Sequence, residues 1–124
     1  MTVYADNAAT TRMSRTALDA MLPAMEENYG NPSSLHSVGQ RAAELLMKSR
    51  ETVARCLNCQ PREIIFTSGG SEADNQALLS AAAIGRRKGK MHIISTAFEH
   101  HAILHTLKKL EKEGFEVTLL DVGP

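Results

Sequence analysis

The sequence predicts an α/β protein in which a helical amino-terminal segment precedes a β-α-β-α-β run. Three observations predict it. Apolar residues spaced three and four apart between Leu35 and Leu57 mark one face of a helix. From Ile64 onward, short apolar runs alternate with longer helical stretches, the order that makes a parallel sheet with crossover helices. Glycines punctuate two of the junctions, Gly69-Gly70 before a helix and Gly114 after one.

Residues 1–13 are polar and extended, and form the first of three expected segments. The second, 14–58, is helical. A helix is expected over 14–28, with Ser14 as its cap and a kink at Pro23. Gly30-Asn31-Pro32 is a turn signal. The next helix follows Ser33 and Ser34, carries Leu35, Val38, Ala42, Leu45, Leu46, Val53 and Leu57 on one face, and ends at Asn58–Pro61. His36 falls in its first turn, where sequence physics assigns it no role. The third segment, 59–124, starts the α/β part. It is expected to hold strand 63–67, a helix near 71–87, strand 91–96, a helix near 100–113 and strand 115–120. Helices must cover both faces of such a sheet. Three strands are few for that architecture, so the expectation is an incomplete domain that more chain, or another chain, completes.

The 124 residues fit one domain at most, and 43% are hydrophobic, enough for a core. Fourteen basic and fourteen acidic residues cancel, which removes the electrostatic case for nucleic acid or an anionic membrane. No apolar run approaches the roughly 20 residues of a membrane span. The first residues lack the layout of a signal peptide, and two cysteines do not make a disulfide scaffold. A cytoplasmic protein is expected.

The chemistry concentrates at Ile64-Ile65-Phe66-Thr67-Ser68-Gly69-Gly70-Ser71-Glu72. A strand running through glycines into a helix start presents free backbone N–H groups and the positive end of the helix dipole to an anion such as phosphate. The structural alternative is that Ser71 is a plain helix cap, with Asp74 three residues on. Gly-x-Gly-x-x-Gly is absent, and Gly85–Lys90 is one residue too short and lacks the Ser or Thr of a P-loop. Arg86, Arg87, Lys88 and Lys90 suit a solvated helix end.

Of the five histidines, His100 falls at the carboxyl end of the second expected strand, on the same sheet edge as the glycine turn. Ligands of open α/β sheets lie there, and an imidazole could stack on a ring or relay protons. His101 and His105 have the i, i+4 spacing of a metal pair, but no third ligand is evident, so no metal is expected. His92 reads as a strand residue. Cys56-x-x-Cys59 lies at a helix end that does not stabilise a thiolate and has no second pair for zinc, so it reads as structural.

Several stretches together resemble the amino-terminal part of the cysteine desulfurases of the NifS/IscS type, pyridoxal-phosphate enzymes of the class V aminotransferase superfamily. They are Tyr4–Thr11, Gly30–Ser34, Arg62–Asn75 and Glu99–Leu104, and the resemblance runs through essentially the whole chain. It implies the start of a fold type I large domain. It implies that Gly70 and Ser71 bind the phosphate of pyridoxal 5'-phosphate. Serine stands at 71 where the family usually has threonine, and keeps the hydroxyl. It implies that His100 stacks on the cofactor ring and assists proton transfer, that Asn7 and Ala8 lie near the substrate, and that Gly30–His36 lies near the active-site opening. The implied reaction converts L-cysteine to L-alanine and hands sulfur to an enzyme cysteine as a persulfide, for iron–sulfur cluster or thio-cofactor synthesis. A homodimer and a sulfur-acceptor or scaffold protein are the implied partners.

The lysine that anchors the cofactor, the aspartate paired with its ring nitrogen and the sulfur-accepting cysteine all follow later in the family pattern. No lysine of this chain stands in the Ser-x-His-Lys context, and neither Cys56 nor Cys59 matches the acceptor. The chain alone is expected to be inactive. Selenocysteine lyase or another class V enzyme is the alternative activity. A truncated, non-catalytic interaction module is the alternative of another kind.

Overall fold

A computed structural model describes residues 2–123. Met1 and Pro124, the outer ends of the first and last expected segments, lie outside the described residues. The chain divides into two units, the first ending at Ile65 and the second starting at Phe66.

The first unit is helical. Helix α1 spans Arg15–Glu26, and the Ser14 hydroxyl accepts the Ala17 N–H at 3.1 Å, the cap that the sequence predicts. Pro23 lies inside α1, which runs on through it to Glu26. Helix α2 spans Ser37–Leu57 and stops where Asn58 turns left-handed at φ 53°, letting the Cys59 N–H close on the Ala54 carbonyl at 3.0 Å. The turn before α2 is tight. A Cβ on Gly30 would stand 2.4 Å from the Val38 carbonyl oxygen, and one on Gly39 would stand 2.5 Å from that of Ser34. After α2, a 3-10 turn over Pro61–Glu63 is closed by Glu63 accepting the Gln60 N–H at 2.6 Å. Arg50 donates from α2 to the Ile64 carbonyl.

The second unit is α/β. Helix α3 spans Gly70–Arg87, strand β1 His92–Thr96, helix α4 His101–Lys112 and strand β2 Glu116–Leu120. The strands pair in parallel, His92 opposite Glu116 through Thr96 opposite Leu120. α4 is the crossover that a parallel pair requires. Gly114, at φ 93°, reverses the chain out of α4, and the Phe115 N–H reaches back to the Leu110 carbonyl at 3.0 Å. The core joins Ala82 of α3, Leu110 of α4 and Phe115, with Met91 and Ile93 packed against it. The Arg86 guanidinium lies 5.1 Å above the Phe115 ring and donates to the Glu113 carbonyl, while half of its side chain stays exposed to solvent as expected of this helix end.

The α/β class and the start of a fold type I domain hold. Several details differ from expectation. No strand forms over 63–67, because Glu63 belongs to the 3-10 turn and the one sheet among the described residues is β1 with β2. An apolar run becomes a strand only where a ladder partner accepts its backbone. Ser71 is not a cap, since α3 begins at Gly70 and Gly69 is its N-cap residue. His36 precedes α2 rather than lying within it. The apolar face expected of α2 stays exposed at Leu35, Leu45, Leu46, Val53 and Leu57. Among the described residues, no helix is long and apolar enough to cross a membrane.

Candidate active site

Two helix amino termini of the second unit carry the residues singled out by sequence. At the first, Gly69 enters α3 without any side-chain cap. The opening N–H groups of a helix lack intrahelical acceptors, and here they belong to Gly70, Ser71 and Glu72. A Cβ built on Gly69 or on Gly70 meets no atom within 4 Å. Gly69 is extended at φ 170°, a conformation open to any residue, and Gly70 is helical. Neither backbone conformation nor packing within the chain calls for glycine at these positions. Their missing side chains leave the backbone open to a group from outside. The Ser71 hydroxyl has no partner among the described residues, so both backbone N–H and side-chain O–H donors are available at this helix start.

Glu72 is the one carboxylate in this turn, and it is turned back from the helix start. It accepts from the Ser68 N–H and the Ser68 hydroxyl, both at 2.7 Å. The backbone bond first, and the hydroxyl bond second, hold its carboxyl below the usual carboxylate range. Its charge is thereby engaged by Ser68.

At the second terminus, His100 caps α4. Its Nδ1 accepts the Ala102 N–H at 3.1 Å. That bond holds the ring and assigns the proton of a neutral imidazole to Nε2. The residue lies four positions beyond the last residue of β1, past a turn, rather than at the strand end. His101 and His105 are exposed on α4 with ring centroids 5.9 Å apart, edge to face. His36 caps α2 as His100 caps α4, accepting the Gly39 N–H at 3.3 Å.

The structure ties Ser71 to His100 through two residues that sequence reasoning passed over. Asn75 donates to the Ser71 carbonyl at 2.7 Å and accepts from the Thr106 hydroxyl on α4. An Asn one turn after the glycines was a signal, but its partner 31 residues away was not. Asn7 and Ala8 lie in the first unit, in a turn closed by the Ala9 and Thr10 N–H groups on the Asp6 carbonyl at 3.2 and 3.3 Å. The groove along α2, lined by Asn28, Arg41, Glu44 and Lys48, holds mixed charges and none of these candidates.

The second unit is thus a parallel α/β unit with an uncapped helix start after Gly69 and a helix capped by His100 after the next strand. The sequence matches the family described as aminotransferase class-V over residues 3–124, and the chain belongs to that family. It is similar to the cysteine desulfurase IscS of Clostridium botulinum (strain Kyoto / Type A2), 52% identical over 97% of this chain and 30% of that protein. The IscS of Methanosarcina thermophila is 48% identical over the same shares. Among solved structures, a NifS-like protein superposes with a TM-score of 0.88 at 42% identity, over 97% of this chain and 33% of that one. SspA in complex with cysteine superposes at 0.80 and 36% identity, covering 91% of this chain and 32% of that one. The chain thus spans about 30% of the length of the curated relatives it matches.

Proposed function

We propose that this chain carries the phosphate-binding and ring-contacting part of a pyridoxal-phosphate-dependent cysteine desulfurase. The observation that carries the reading is the 52% identity to a cysteine desulfurase over 97% of the chain, which spans the open α3 start and His100. The geometry fits the cofactor: donors without side-chain cover at Gly70 and Ser71, and an imidazole held at a second helix start.

In this reading, the Gly70 and Ser71 N–H groups and the Ser71 hydroxyl donate to the cofactor phosphate, helped by the α3 dipole. Ser68 keeps the Glu72 carboxylate occupied, which limits its repulsion of that phosphate. His100 lies against the cofactor ring, oriented by the Ala102 N–H, with Nε2 left to hold or move a proton. When bound, pyridoxal phosphate supplies the electron sink for charge that develops on the substrate carbon. Asn7 and Ala8 match the stretch that lies near the substrate in the family. A 36% identical structure solved in complex with cysteine supports L-cysteine as the substrate. The whole enzyme converts it to L-alanine and passes the sulfur to a cysteine outside this chain, for iron–sulfur cluster or thio-cofactor synthesis. A cytoplasmic homodimer that works with a sulfur-acceptor or scaffold protein completes the reading.

The test is titration of pyridoxal phosphate into the purified chain, followed by cofactor absorbance. The chain is expected to take up cofactor, His100→Ala to change the bound spectrum, and Ser71→Ala to weaken uptake. Cysteine turnover should need a further segment that brings a Ser-x-His-Lys motif and an acceptor cysteine. A wild-type chain that binds no cofactor would refute the reading, as would full turnover by the chain alone.

A further inference from the structure

Thr106 is the only buried polar side chain among the described residues, 5% exposed. Its hydroxyl donates to the Asn75 Oδ1. The amide nitrogen of Asn75 is engaged by the Ser71 carbonyl at 2.7 Å, so Oδ1 is left as an acceptor and the direction of the bond from Thr106 is set. Thr106 Oγ1 also lies 2.9 Å from the Ala102 carbonyl, and the Ala102 N–H is the group that orients the His100 ring. A continuous polar path therefore runs from Ser71 through Asn75, Thr106 and Ala102 to His100.

Apolar side chains would fill the same space between α3 and α4 without desolvating polar atoms, and replacing both partners of a buried hydrogen bond is often neutral for stability. An apolar contact tolerates sliding of one helix along the other, whereas a directional bond fixes their axial register. The register fixed here is that of the turn bearing Ser71 against the helix capped by His100.

We propose that Asn75 and Thr106 are positioning residues that set the separation of Ser71 from His100, and so govern affinity for pyridoxal phosphate without touching it. This rests on the reading of Gly70, Ser71 and His100 as cofactor contacts. In catalysis, a misplacement of about 1 Å can cost roughly a hundredfold in rate.

The experiment compares the wild-type chain with Thr106→Val, Thr106→Ser and Asn75→Ala. It follows pyridoxal phosphate affinity, thermal melting, and the His100 ring resonances by NMR without ligand. Thr106→Val, which keeps the shape and loses the donor, should weaken cofactor binding about tenfold or more and move the His100 resonances. Thr106→Ser should restore both. Wild-type affinity and unmoved His100 resonances in Thr106→Val would overturn the proposal. If that variant does not fold, Asn75→Ala at the half-buried end of the pair decides by the same two readouts. If the wild-type chain binds no cofactor, the functional reading fails. The bridge is then judged on the His100 resonances alone: moved in the variants they sustain the coupling, and unmoved they overturn it.

Discussion

Glu72 reaches back across the start of α3 to hold Ser68 by both its backbone N–H and its hydroxyl, at 2.7 Å each. The bond satisfies the Ser68 N–H ahead of the helix and leaves the first N–H groups of α3 without a side-chain cap.

The first prediction follows from the sign of that interaction. The Glu72 carboxyl is held below its ordinary range, so its contribution is present above that range and is lost as pH falls through it toward the lowered folded value. An NMR titration should find Glu72 deprotonating below the ordinary range of a glutamate side chain. In Glu72→Gln the acid-side loss of order in the Ser68 turn should disappear. A Glu72 that titrates within the ordinary glutamate range would contradict this.

Histidine caps carry a second prediction. His36 and His100 both accept a backbone N–H at Nδ1, from Gly39 and Ala102. Long-range 15N–1H spectra of the neutral rings should show both as the Nε2–H tautomer. Replacing His36 with Ala should cost about 1 kcal/mol, and Asn should recover most of it. A Nδ1–H tautomer at either position would sink the assignment.

The glycines separate into two kinds. Gly39→Ala puts a methyl 2.5 Å from the Ser34 carbonyl oxygen and should lower stability by about 1–3 kcal/mol in denaturant titration. Gly70→Ala meets no atom within 4 Å. It should leave the melt unchanged and weaken cofactor uptake. Equal melting losses in the two variants would remove the distinction.

Leu110 is 1% exposed and joins α4 to Ala82 and Phe115. Leu110→Ala should cost about 2–5 kcal/mol, because it empties space in a small core. Chemical denaturation that shows a loss well under 1 kcal/mol would mean that Leu110 does not anchor the second unit.

Much of this was legible from local chemistry. The spacing of Val38, Ala42 and Leu45 belongs to α2, the Ser14 hydroxyl caps α1, and Gly114 reverses the chain after α4 at φ 93°. Each depends on residues within a turn or two of one another, so pattern and propensity suffice. The site glycines and His100 were visible because a helix start and its flanking residues are contiguous in sequence.

What remained hidden depends on partners distant in sequence. Ile64–Thr67 has the composition of a strand, yet it enters no ladder, because pairing belongs to the neighbour and not to the run. The apolar stripe of α2 specifies a helix but not what covers it, and it lies exposed. His36 and His100 became caps because backbone entry angles place Nδ1 over the next turn. The Asn75–Thr106 bond spans 31 residues and exists only once α3 and α4 pack. Short-range periodicity and capping were enough to set the class, the helices and the open glycine turn. Which polar side chains meet across helices depended on the packed fold, because a directional bond between distant residues requires both backbones to be in place first.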